Sequence, residues 1–112
     1  MKKPSKFKCG CFTWSIYWSP EEAEELYGKT DHSTKTVTIY KCKNDEVTRE
    51  TLLHELLHVV LEDKSDAIFN FEPEKKDYDK EENLVRLISP VLMQLINENP
   101  ELVRFLSKAR VK

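Results

Sequence analysis

His54-Glu55-Leu56-Leu57-His58 sets two imidazoles four residues apart, with a carboxylate directly after the first. On a helix, residues i and i+4 lie about one turn apart on the same side, so both ring nitrogens reach one tetrahedral ion at about 2.0–2.1 Å. Glu55 stands roughly 100° further round. That offset takes it out of the ligand set and leaves it placed to accept a proton from a water at the ion's open fourth position. The pattern points to Zn²⁺ and metal-assisted hydrolysis, most often of a peptide bond. The competing reading makes both histidines core residues bonded to backbone carbonyls, each needing its own partner.

The residues around the motif are those of a helix. Asn44 or Asp45 offers an N-cap, acids fill the first turn, and nothing from Val47 to Glu62 breaks the pattern. Leu52, Leu53, Leu56, Leu57, Val59, Val60 and Leu61 spread apolar groups round most of the circumference, which predicts burial on several sides. His54, Glu55 and His58 inside such a helix need partners, and a zinc site would satisfy all three.

A catalytic zinc takes three protein ligands, so one is still to be found. The metzincin pattern would need Gly at position 61 and His at position 64, where this chain has Leu61 and Lys64. A carboxylate from the next helix remains, and Glu81 and Glu82 are the candidates, with Glu74 and Asp77 behind them. Glu82 precedes Val85, Ile88 and Ser89 by three, six and seven residues, above an apolar ridge where two helices approach closely. Against this, Asp79-Lys80-Glu81-Glu82 also reads as a capping box, with Glu82 bonded to the backbone of residue 79.

Asp31 to Tyr40, then Arg49 to His58, then Glu82 to Leu92 together resemble the short phage and prophage members of the ImmA/IrrE-type zinc metallopeptidases, over roughly residues 12 to 105. The resemblance implies a small sheet packed on the motif helix and a glutamate from the following helix as third ligand, as in the broader gluzincins, which favours Glu82. It implies a protein or peptide substrate, in some members a regulatory protein. Larger relatives carry an Asn and small residues after the third ligand, where this chain has Arg86, Leu87 and Ile88. The repressor-type target of those members is therefore not carried over.

The elements that must position the motif can be read along the chain. Cys11 to Trp18 is rich in aromatic and β-branched residues and predicts a strand; Ser19-Pro20-Glu21-Glu22 predicts the start of a short helix. Gly28 ends that helix or opens a second strand, Asp31 to Lys35 predicts a turn, and Thr36 to Tyr40 alternates as a half-buried strand. Asp63 to Asp79 is a polar connection interrupted by Ile68-Phe69-Asn70-Phe71 and Pro73. A helical pattern runs from Lys80 to Asn97 with Pro90 expected to kink it, and Asn99-Pro100-Glu101 opens a short helix to about Arg110. The class is α+β: a small N-terminal antiparallel sheet packed on the motif helix, then a kinked helix and a short C-terminal one. Residues 1–10 read as a basic arm and 11–112 as a single zincin-like metallopeptidase domain.

Composition narrows the function classes. With 18 Lys and Arg against 20 Asp and Glu, direct nucleic-acid binding is not expected. No apolar run reaches the roughly 18 residues of a membrane span, and no signal-peptide core is visible, so the expected location is the cytoplasm, the host's if the protein is phage-encoded. Cys9, Cys11 and Cys42 cannot all pair within one chain; Cys9 and Cys11 would point to the same face of a strand, and the three read as thiols on neighbouring strands, as a redox pair, or as a second, structural zinc site with His32, whose position reads as an exposed turn. Tyr78, Arg86 or His32 would serve as oxyanion donor. A different class of function, a zinc-stabilised binding or regulatory module without turnover, requires a site closed by four protein ligands.

Overall fold

The fold is a computed structural model that describes residues 3–63 and 77–107, the side chains of residues 77–81 excepted. Strands β1 (Lys6–Cys9), β2 (Phe12–Glu22), β3 (Gly28–Asp31) and β4 (Thr36–Lys41) are followed by helices α1 (Asp45–Asp63), α2 (Asp77–Glu98) and α3 (Pro100–Leu106). The class is α+β, as the order of strand and helix signals predicts.

The sheet runs β1-β2-β4-β3. Its two outer pairings are antiparallel but the central one, β2 with β4, is parallel, so the sheet is mixed where an antiparallel one was expected. A parallel pair needs a crossover. Here β3 supplies it, lying beyond β4 as the edge strand. Alternation sends Phe7 and Cys9, Trp14 and Ile16, and Val37 and Ile39 to one face, where they meet Leu52, Leu56, Val59 and Val60 of α1, Val91 and Leu95 of α2, and Leu102 and Phe105 of α3. Thr13, Ser15 and Tyr17 point to the other face and are exposed.

Three local expectations are corrected. Ser19-Pro20-Glu21-Glu22 continues β2 and starts no helix. Its register against β4 shifts between Trp18 and Glu22, and Pro20 falls in that irregularity, where its missing N–H interrupts no regular ladder. Ser19 accepts a bond from the backbone of Glu21 at 3.1 Å, a local contact that mimics a cap without a helix behind it. The basic N-terminal stretch is more than an arm: Lys6–Cys9 is a sheet strand, Pro4 accepts a bond from the Trp18 indole at 2.7 Å, and Lys3 lies over the Trp18 ring. Cys9 and Cys11 do not share a face, because Gly10 turns the chain at φ +62°, leaving Cys9 buried and Cys11 exposed; all three cysteines are thiols.

Other signals hold. Asn44 caps α1, accepting bonds from the backbone of Glu46 at 2.9 Å and Val47 at 3.1 Å. Asp31 organises the β3–β4 turn through the backbone and hydroxyl of Ser33 and the backbone of Thr34. α2 continues through Pro90, which denies the Arg86 carbonyl its helical donor. Asn99 precedes Pro100 as the spacing predicts, yet its side chain does not cap α3. It is buried and grips the backbone of Lys8 from both sides, at 2.8 and 2.9 Å, while donating to the Leu95 carbonyl at 2.8 Å. A single amide thereby ties β1 to the α2–α3 junction. The connection from residue 64 to 76, with Ile68-Phe69-Asn70-Phe71 and Pro73, and the chain beyond residue 107 lie outside the described residues.

Candidate active site

The buried residues of α1 are Leu52, Glu55, Leu56, Val59 and Val60, a stripe with helical spacing in which Glu55 occupies a core position. His54 and His58 fall on the adjoining flank and are exposed, as are Leu53, Leu57 and Leu61. The expectation of burial on several sides is thus corrected: α1 buries one stripe and leaves a leucine ridge in solvent beside the histidines.

His54 and His58 meet. Their Nε2 atoms are 3.2 Å apart and their ring planes cross at 77°. Two ligands on a tetrahedral ion with bonds of about 2.0–2.1 Å stand about 3.3–3.4 Å apart, against about 2.8–3.0 Å for adjacent octahedral positions. The observed separation is close to the tetrahedral edge. The same distance also permits a hydrogen bond between the rings if one Nε2 carries the proton.

Glu55 is only 6 % exposed. A carboxylate so placed needs donors, and Thr30 of β3 supplies one, its hydroxyl donating to Oε1 at 2.6 Å. The second oxygen, Oε2, lies 4.0 Å from His54 Nε2, on the side of the histidine pair. The close approach of β3 depends on Gly28: a Cβ there would stand 2.8 Å from Thr51 Cγ2, 3.0 Å from the Thr38 carbonyl oxygen and 3.3 Å from Glu55 Cγ. Thr30 was not singled out from sequence, and Gly28 was read only as ending a helix or opening a second strand, the latter being what β3 does.

Other candidates fall elsewhere. Glu82 is exposed and pairs with Arg86 at 3.2 Å along its own helix, so it is not gathered with the histidines. Nor does it form the capping box, since α2 already begins at Asp77 and residue 79 lies inside it. Among the described residues no three His, Cys, Asp or Glu side chains are grouped to hold a metal, His32 and the cysteines included. Glu74 and the side chains of Asp77, Tyr78 and Glu81 lie outside the description. His32, read as an exposed turn position, is half-buried with its ring edge against Trp14 and with Nδ1 lacking a hydrogen-bond partner among the described residues.

A cavity of about 280 Å³ opens beside the motif, with Glu50, Thr51, His54 and Glu55 of α1 on one side and Glu25 to Gly28 on the other. Neither His32 nor Arg86 lines it. Comparison with known proteins returns no family model, no curated protein and no solved structure that matches the chain. No described helix is long and apolar enough to cross a membrane.

Proposed function

We propose that the protein is a zinc-dependent metallopeptidase, acting on a peptide bond of a protein or peptide substrate, in which His54 and His58 hold Zn²⁺ and Glu55 is the general base. The observation that carries this reading is the 3.2 Å separation of the two Nε2 atoms, near a tetrahedral edge, with an oriented buried carboxylate next to them. A carboxylate from the start of α2 completes the ligand set, Glu82 first and Glu81 second. To reach the ion Glu82 would have to move toward the histidines and give up its exposed pair with Arg86, a type of contact worth about 0.2–1 kcal/mol. Bound there, Zn²⁺ supplies Lewis-acid polarisation of the scissile carbonyl and acidifies water. Thr30 holds Oε1 of Glu55, so Oε2 is the oxygen that takes the proton and returns it to the leaving amine. The three thiols favour a reducing compartment, the cytoplasm.

The test is zinc stoichiometry combined with peptide cleavage. Wild type and Glu55→Gln should both bind one zinc, while the substitution lowers turnover by about two to four orders of magnitude. Zinc at about 100 times its Kd should stabilise wild type by roughly 2.7 kcal/mol and should not stabilise His54→Ala. Turnover that survives in Glu55→Gln removes the assigned role. A second reading, a zinc-stabilised binding module, needs a site closed by four protein ligands, of which His54 and His58 would be two. It predicts zinc binding and no turnover in wild type.

A further inference from the structure

We propose that a second cavity, apart from the metal motif, binds a small aromatic phosphate monoester; the inference is independent of the peptidase reading. This cavity, of about 380 Å³, lies at the carboxyl ends of β2 and β4, the parallel pair of the sheet, where β4 passes into α1. It shares no lining residue with the cavity of His54 and Glu55. An irregularity in the sheet accompanies it: Trp18 pairs with Ile39 and Glu22 with Lys41, so Ser19, Pro20 and Glu21 of β2 stand against Tyr40 alone and the regular ladder is broken. Open sheets with parallel strands take ligands outside those carboxyl ends.

The charges that line the cavity are unbalanced. Lys3, Lys41 and Arg49 stand against one acid, Asp45, which leaves two uncompensated positive charges in a chain of net charge −2. Arg49 is half-buried, and among the described residues its guanidinium has no hydrogen bond or ion pair, although Asp45 precedes it by one helical turn, the spacing of a ready partner. A guanidinium withdrawn from water without a counter-charge is costly, and an anion in the cavity supplies one. The helix N-terminus is not the source of recognition, because the Asn44 side chain already accepts from the N–H groups of Glu46 and Val47. The walls set the rest of the ligand. Phe105 is buried and Trp18 half-buried, their rings in edge contact with centroids 5.3 Å apart, and Lys3 Nζ stands 4.9 Å from the centre of the Trp18 ring. Aromatic surface beside cations suits a ring joined to a charged group, and two uncompensated charges match a phosphate dianion better than a carboxylate.

The experiment titrates the full chain with phenyl phosphate, inorganic phosphate and phenol, reading affinity by isothermal titration calorimetry and location by the indole N–H resonances of the two tryptophans. Phenyl phosphate should bind about tenfold tighter than either fragment. It should move the Trp18 resonance and leave that of Trp14, which does not line the cavity, in place. Arg49→Gln should weaken phenyl phosphate by about tenfold and Lys41→Gln by about threefold. Lys41 is exposed, so the second variant keeps the test decisive should Arg49→Gln fold poorly. Affinity should fall as ionic strength rises from about 0.01 to 0.15 M, where the screening length drops from roughly 30 to 8 Å. His54→Ala should bind as wild type does. Absence of binding, equal affinity for phenyl phosphate and inorganic phosphate, or affinity that survives both charge substitutions overturns the proposal, as does loss of binding in His54→Ala.

Discussion

The sheet-facing side of α1 carries Leu52, Glu55, Leu56, Val59 and Val60, all buried, whereas its outward side carries Leu53, His54, Leu57, His58 and Leu61 in solvent. The base is fixed from outside the helix by the Thr30 hydroxyl and by the close passage of β3 at Gly28. The histidines are held in register by the helix itself and, at 3.2 Å, touch each other. One side therefore supplies precise placement of a proton acceptor and the other an accessible pair of nitrogen ligands. A proton-transferring group must sit within a few tenths of an ångström of its target, and packing provides that; a metal draws its own ligands together.

Substitutions that damage one side and spare the other test this division. Leu52 is fully buried, and Leu52→Ala should cost about 2–5 kcal/mol in urea unfolding, whereas Leu53→Ala, next to it and 48 % exposed, should stay within about 0.5 kcal/mol. Equal losses would show that the outward side is packed as well. Thr30→Val removes the donor to a buried carboxylate and should cost about 1.5–3 kcal/mol, with zinc affinity unchanged and any turnover reduced. A loss of zinc binding in that variant would join the two sides that are separated here.

Gly28→Ala should cost about 1–3 kcal/mol, because its Cβ meets Thr51 and the Thr38 backbone, and it should displace β3 from Glu55. Loss of protection at the amides of β3 and β4 in hydrogen exchange, with α1 unchanged, is the expected signature. The smallest effect belongs to Asp31 in the β3–β4 turn. Its carboxyl is held below 3.8, first by the Ser33 hydroxyl and then by the backbone of Thr34, with a small opposing contribution from burial. A depressed folded-state value means stability that is present above about pH 4 and lost as the pH falls through the folded value. Asp31→Asn should therefore be slightly less stable than wild type at neutral pH, and the difference should close in acid. A gap that persists unchanged at pH 2 would assign the turn's stability to something other than the carboxylate.

Much of the motif helix was legible in the sequence because its determinants are local. Asn44 reaches backbone N–H groups two and three residues on, and His54 and His58 meet through the helical repeat alone. The Asp31 turn is equally local. Ser19-Pro20 misled for the same reason: the pair carries a helix-start signal, but pairing of β2 with β4 outweighs it. Asn99 shows the converse, since its role depends on Lys8, ninety-one residues away.

The sequence by itself determined that two imidazoles and a carboxylate share one helix at metal-binding spacing, since backbone geometry fixes that within a single turn. Only the tertiary structure decided that Glu55 sits in the core under Thr30 and that Gly28 lets the edge strand pass. It also decided that Glu82 pairs with Arg86 and, among the described residues, forms no ligand group with the histidines. These contacts join residues distant along the chain, and hydrophobic patterning states which faces are buried without stating what they are buried against.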